Sequence, residues 1–394
     1  MEVAFFVFWE DFWREEMEHL AQTVRDAQRI VIKVGSNILL AENRLNLPFL
    51  YTLAEDIHEL RKSGKSVLLV TSGSVATGMA KFGTTERPKD LPTKQAYAAV
   101  GQMSLMWEYE RAFRVYGIPI AQVLLTRDDL ESRKRYLNSQ NTLLALFDLD
   151  VLPIVNENDT VVTDEIRFGD NDTLSAMVAG VVKADVNIIL SDIDGFYTAN
   201  PQLDPNAEFL PLITKIDSKV EAMAGLSTSS VGTGGMVTKI SAARKCINAG
   251  IDMIITSGRT NHPISRLLQG ARGTLFRASI DKVSARKRWI LQTLKSHGSL
   301  IIDSGAEAAL MRKEASLLPI GVKAISGEFE RGECVQVHSQ NGTLLAKGLV
   351  SYSSEEARQI YGRKSSEIET ILGYVFHKEM IHKDNLVIMG AGEE

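Results

Sequence analysis

The sequence predicts an α/β protein in which a mainly parallel sheet is covered by helices on both faces and followed by a small β-rich domain. Three observations lead there. From residue 29 onward, short β-branched runs alternate with longer stretches of helical periodicity, the pattern of parallel strands joined by crossover helices. After about residue 280 the chain changes to short alternating segments punctuated by glycine. At 394 residues it is too long for one ordinary core, so a large domain plus a smaller one is expected.

The expected strands are RIVIKVG (29 to 35), SVLLVTSG (66 to 73), PIAQVLLT (119 to 126), VLPIVNEND (151 to 159), VNIILSD (186 to 192) and IDMIITSG (251 to 258). Each ends in small or polar residues, and ligands of open α/β sheets bind beyond the carboxyl ends of strands. The tails KVGSN, TSGS, NEND, SDIDG and TSGR are therefore where chemistry is sought. Helices are expected over 47–63, 93–115, 134–148, 171–184 and 236–249, the last stopped by Gly250. The Pro-, Asn- and Asp-rich stretch from Asp194 to Pro211 reads as an ordered surface loop. The resulting division is an N-terminal extension over 1–27, a main domain over 28–280, a basic junction over 281–296 and a β-rich domain over 297–390.

Near the N-terminus, Val3 to Trp9 form a short apolar run. No Lys or Arg precedes it, and Glu10 and Asp11 follow it, so it lacks the marks of a secretory signal and is too short to span a bilayer. Met17 stands just before a polar helical stretch, which suggests that residues 1–16 precede the native start. Intact mass or N-terminal sequencing tests this.

Hydrophobic residues make up 44% of the chain and charged residues 24%, the balance of a folded globular protein. The formal net charge of −5 supplies no global positive field for nucleic acid or an anionic membrane, so any bound anion must be held locally. Residues 297–394 hold 10 Lys plus Arg against 14 Asp plus Glu, a net of −4 that opposes binding of a nucleic-acid backbone. Cys246 and Cys334 lie far apart without CxxC spacing, which points to neither a disulfide framework nor a zinc site and fits a reducing cytoplasm.

Phosphate chemistry is most strongly suggested by Gly232 to Lys239 (GTGGMVTK), a Gly-rich loop opening a helix. Glycines let backbone N–H groups approach a phosphate, the helix N-terminus favours an anion, and Lys239 adds a point charge. The spacing is neither that of a P-loop nor that of a dinucleotide fingerprint, and a plain loop with a helix cap explains the glycines equally. Asn156 to Asp159 at a strand end and Gly169 to Asp172 at a helix start form two polar blocks that would face one another across a hairpin. Such blocks could coordinate Mg²⁺ or grip a substrate ammonium, and an Asx turn with an N-cap accounts for only one of their acids. Lys33 lies inside an apolar strand, where a lysine is costly unless it snorkels or meets an anion. For a central strand the anion is the better reading. The hydroxyls and glycine of Thr71 to Ser74 could hold a carboxylate or phosphate, or make a turn. No GxSxG elbow, HExxH or His ligand spacing is present, and none of the seven histidines is given a catalytic role.

Taken together, IVIKVGSN, VTSGSVATGM, VNENDTVV with FGDNDTLSA, LSDIDGFYTANP and GTGGMVTKISAA resemble the motifs of the amino acid kinase family, in the family's order, from about residue 28 onward. The resemblance implies a three-layer αβα sandwich with a mainly parallel sheet. It implies transfer of the ATP γ-phosphoryl group to the side-chain carboxylate of L-glutamate, the first step of proline biosynthesis, with Mg²⁺ as the metal, held mainly by the ATP phosphates. By position, Lys33, Lys239 and Asp172 match catalytic residues. Lys33, Ser191, Asp192, Thr233, Gly234, Gly235, Met236, Val237, Thr238 and Lys239 match ATP-binding positions, and Ser72, Asp159 and Asn171 match glutamate-contacting ones. Ser191 stands where the family commonly has threonine, which keeps the hydroxyl. A homo-oligomer and feedback inhibition by proline are further implications.

The C-terminal segment, through SLLPIGVKAISGEFERGE and ILGY, resembles a PUA domain. Sibling kinases of acetylglutamate, aspartate, carbamate or a nucleoside monophosphate are the competing enzymes, and a PUA-like tail in place of ACT repeats favours glutamate. A regulatory or RNA-binding protein with a silenced kinase core is the competing non-enzyme. Retention of Lys33, Asp172 and Lys239 argues against it.

Overall fold

A computed structural model describes residues 15–41, 44–162, 171–225, 235–279, 296–312 and 315–389. The chain divides into two compact units, one made of residues 1–131 with 139–280 and the other of 132–138 with 281–394.

The first unit is built on an eight-stranded sheet. In chain order its parts are β1 (Arg29–Val34), the short ribbon of β2 (Leu40–Ala41) with β3 (Arg44–Leu45), β4 (Ser66–Val70), β5 (Ile120–Leu125), β6 (Leu152–Glu157) and β7 (Val186–Ser191). A second ribbon pairs β8 (Phe196–Tyr197) with β9 (Phe209–Leu210), and β10 (Leu212–Ile213), β11 (Asp252–Ser257) and β12 (Gly273–Phe276) complete the set. The sheet order is β10-β12-β11-β7-β1-β4-β6-β5, with every pair parallel except β11 with β12. The six expected strands are all present to within one to three residues at their ends, and all six run parallel.

β1 sits inside the sheet, with Lys33 in register with Val70 of β4 and Ile189 of β7. Alternation decides which way each residue faces. Ile30, Ile32 and Val34 of β1 join Leu69, Ile154, Ile188 and Ile254 in one core cluster, under the helices Leu47–Lys62, Leu91–Arg114 and Pro263–Leu268. The opposite face packs against the helices Asn171–Val181 and Met236–Asn248. Lys33 points to that second face, and so do the helices that carry Asp172 and Lys239.

Residues 15–26, within the stretch set apart as an N-terminal extension, form a helix that buries Met17, Leu20, Ala21 and Val24, and Leu20 and Val24 belong to the main core cluster. Its polar pattern hid a buried stripe at i, i+3, i+4 and i+7. The expected loop of Asp194 to Pro211 contains the β8–β9 ribbon, because Phe196 and Tyr197 pair with Leu210 and Phe209 across the Pro- and Asp-rich turn. Gly250 takes a positive φ of 71° just past the helix Met236–Asn248, as a helix stop requires.

The second unit holds a five-stranded sheet of β13 (Ser296–Ile302), β14 (Val322–Gly327), β15 (Cys334–His338), β16 (Leu344–Leu349) and β17 (Leu386–Ile388), in the order β14-β13-β15-β16-β17. Only β13 with β15 is parallel. Its own core gathers Leu300, Val335, Val337, Tyr352 and Ile360 among others. The helix Ser354–Ile360 opens with a capping box in which Ser353 and Glu356 satisfy each other's backbone N–H groups.

Candidate active site

The carboxyl ends of β1, β4, β6 and β7 bring most of the described candidates to one rim of the first unit. Lys33 near the end of β1 is 7% exposed, and its Nζ stands 2.5 Å from Asp172 Oδ1. Asp172 is fully buried in the first turn of the helix Asn171–Val181. Its other oxygen meets Lys239 Nζ at 3.1 Å and accepts from Thr238 Oγ1, also at 3.1 Å. Burial alone would push this carboxyl upward, but the ammonium groups of Lys33 and Lys239 outweigh it and hold Asp172 well below the usual carboxylate range. Two cations share one anion, which leaves the cluster with a net positive charge at a water-poor position.

Lys239 projects from the helix Met236–Asn248, whose first residue follows Gly235 in an extended conformation without a side-chain cap. The first turn has no side-chain cap, so its N–H groups are left to other partners, and Lys239 stands one turn on. Met236 is buried and Val237 is exposed on the same turn. Thr233 and Gly234 lie outside the described residues, as do Gly232 and the pair Gly169 and Asp170.

Beyond β7, Ser191 is buried and donates to Asp192 Oδ1 at 3.1 Å. Asn37 Nδ2 donates to the other oxygen at 3.2 Å, and Arg259 stands 3.9 Å away. Partial burial raises the Asp192 carboxyl, and the hydrogen bonds from Asn37 and Ser191 overcome this to hold it below its ordinary value. Asn37 and Arg259 belong to the strand tails KVGSN and TSGR, so their neighbourhood was legible although their pairing with Asp192 was not.

On the other side of Lys33, Ser72 donates through Oγ to the carbonyl of Val34 at 2.8 Å. Ser74, which opens the helix Ser74–Lys81, donates to Asp159 Oδ2 at 2.6 Å. That helix lies in backbone contact with Leu91–Arg114: a Cβ on Gly78 would fall 2.0 Å from the Tyr97 carbonyl oxygen, and one on Gly101 1.8 Å from that of Ser74. Only glycine permits this crossing. A small cavity beside Asp159 is lined by Val75, Leu91, Lys94, Gln95 and Val162.

The two polar blocks meet as expected where both are described. Asn171 Nδ2 donates to Asn156 Oδ1 at 2.9 Å and to the carbonyl of Thr71 at 2.5 Å. Asn156, 1% exposed, donates in turn to Gln102. Gln102 was missed from sequence because a glutamine inside a long helix carries no positional signature. Among the described residues no group of three or more His, Cys, Asp or Glu side chains could hold a metal ion. Asp172, the one fully buried acid of the site, is already taken up by two lysines.

Comparison with known proteins agrees with this architecture. The amino acid kinase family model matches residues 28–257, and the PUA domain model matches residues 298–372. The glutamate 5-kinase of Geobacter sulfurreducens is 48% identical over 364 residues, covering 92% of this chain and 98% of that protein. The glutamate 5-kinase of Chromobacterium violaceum is 48% identical over 368 residues, covering 93% and 99%. The chain belongs to the amino acid kinase family and carries a PUA domain toward its C-terminal end.

Proposed function

We propose that this chain transfers the γ-phosphoryl group of ATP to the side-chain carboxylate of L-glutamate, forming L-glutamyl 5-phosphate, the first step of proline biosynthesis. The observation that carries the reading is the buried Lys33–Asp172–Lys239 cluster at the carboxyl end of the sheet, supported by near-full-length identity to glutamate 5-kinases.

A carboxylate attacking a polyphosphate is already ionised, so the obstacle is charge repulsion and positioning, and no general base is needed. In this reading Lys33 and Lys239 neutralise the transferring group from two sides, and Asp172 keeps both ammonium groups aimed at it. The first turn after Gly235, including Met236, Val237 and Thr238, holds the nucleotide phosphates together with Lys239, and Ser191 with Asp192 holds its other end. Thr233 and Gly234 belong to the same loop by sequence. Asp159 pairs with the glutamate ammonium, while Ser72 and Asn171 complete the acceptor subsite. Mg²⁺ enters with the nucleotide, whose phosphates hold it and whose charge it partly neutralises.

Feedback by proline at or near the glutamate subsite, a homo-oligomeric state, a cytoplasmic setting and an accessory role for the acidic PUA domain complete the proposal. An ADP-release assay across glutamate, N-acetylglutamate and aspartate tests it. Turnover with glutamate alone is expected, and no activity with glutamate refutes the substrate assignment.

A further inference from the structure

We infer that Lys94 holds the α-carboxylate of the acceptor amino acid, so that the cavity it shares with Asp159 recognises the zwitterionic end of a free α-amino acid. The inference rests on the reading of Asp159 as the partner of the glutamate ammonium and supplies the other half of that subsite.

The cavity exists because two helices start side by side. Ser74 and Val75 open the helix Ser74–Lys81, while Leu91, Lys94 and Gln95 lie at the start of Leu91–Arg114. The backbone contacts at Gly78 and Gly101 hold these helices in register. Asp159 follows β6, and the Ser74 hydroxyl donates to its Oδ2 at 2.6 Å. Gln95 Nε2 donates to the carbonyl of Val162 at 3.1 Å, which ties the long helix to the chain just beyond Asp159.

The lining is Val75, Leu91 and Val162 as apolar walls, Gln95 as an amide already committed to Val162, Asp159 as an anion and Lys94 as a cation. Among the described residues Lys94 Nζ makes no hydrogen bond or ion pair. Its charge acts on Asp90, an exposed acid whose side chain accepts from the Thr93 N–H. A cation near the start of a helix is set against the helix dipole, and an incoming anion relieves both.

The cavity thus offers one charge of each sign beside apolar walls that weaken screening by water. The α-carbon of an amino acid carries the matching pair, an ammonium and a carboxylate on one atom. With the ammonium on Asp159, Lys94 is the cation of the same cavity left for the carboxylate. A phosphate, bearing negative charge alone, would meet Asp159 as well as Lys94. An N-acylated amino acid would leave Asp159 without its cation.

The experiment compares L-glutamate with L-isoglutamine, its α-amide, which keeps the ammonium and the reacting side-chain carboxylate but loses the α-carboxylate charge. The kcat and KM for each, and the KM for ATP, are measured in wild type and in Lys94→Met. Met keeps most of the side-chain length at this half-buried position. The glutamate KM is expected to rise about thirtyfold in Lys94→Met, with the isoglutamine KM held within about twofold and kcat and the ATP KM within about threefold. Where isoglutamine turns over too slowly to measure, its inhibition constant against glutamate is read in the same two proteins. A glutamate KM within about threefold of wild type in Lys94→Met would overturn the inference, and so would an equal loss with both compounds. A wild type inactive on glutamate would instead remove the functional reading, and the inference with it.

Discussion

Lys33 of the first strand and Lys239 of a late helix grip opposite oxygens of one carboxylate, Asp172, at 2.5 and 3.1 Å. Removing the carboxylate should cost both stability and rate. For Asp172→Asn, a loss of about 3–5 kcal/mol is expected in denaturant unfolding, since two buried ammonium groups lose their counter-charge. The kcat should fall at least a hundredfold in the same variant, and a near-normal kcat would remove the orienting role.

Lys239→Ala should lower kcat by at least about a hundredfold with a smaller change in the ATP KM, because a charge that matters most in the transition state is lost. An unchanged kcat with only KM raised would contradict that role.

Acid sensitivity follows from the same cluster. The folded state holds the Asp172 carboxyl below its ordinary range, so the unfolded chain binds its proton more readily and stability rises with pH between the two values. The contribution is complete above about pH 5 and is lost as pH falls through the ordinary aspartate range of about 4 and below. Unfolding free energy measured from pH 7 down to pH 3 should drop more steeply in wild type than in Asp172→Asn. Parallel slopes would count against this coupling.

Gly101→Ala should destabilise the first unit by about 3 kcal/mol, because the added methyl meets backbone rather than a movable side chain. Leu20→Ala should cost about 2–5 kcal/mol, since this side chain from the N-terminal helix is 1% exposed in the main core. Thermal or denaturant unfolding measures both, and a silent Leu20→Ala would mean that the helix is dispensable.

What was legible in the sequence was whatever single residues announce by contrast with their neighbours. Lys33 is conspicuous as a charge in an apolar strand, and the acids of NEND and GDND are dense enough to read as a site. β7 and β6 are buried along their whole length and read as mainly apolar runs, interrupted by Asn187 and Ser191 in the first and ended by Asn156 and Glu157 in the second. Relations between distant segments left no such mark. β12 returns antiparallel on β11 over four residues, too short a run for its direction to be read. The buried face of the N-terminal helix is hidden among charges. Gln102 acquires its meaning only when Asn156 is brought against it.

The Lys33–Asp172–Lys239 cluster sets two cations on one buried anion, with Asp192 close enough to Lys239 to act on its charge. Under the proposed function, nucleotide would steady the two ammonium groups as well as react beside them. Inorganic triphosphate, which offers charge and nothing else, should raise the melting temperature of this enzyme where adenosine does not.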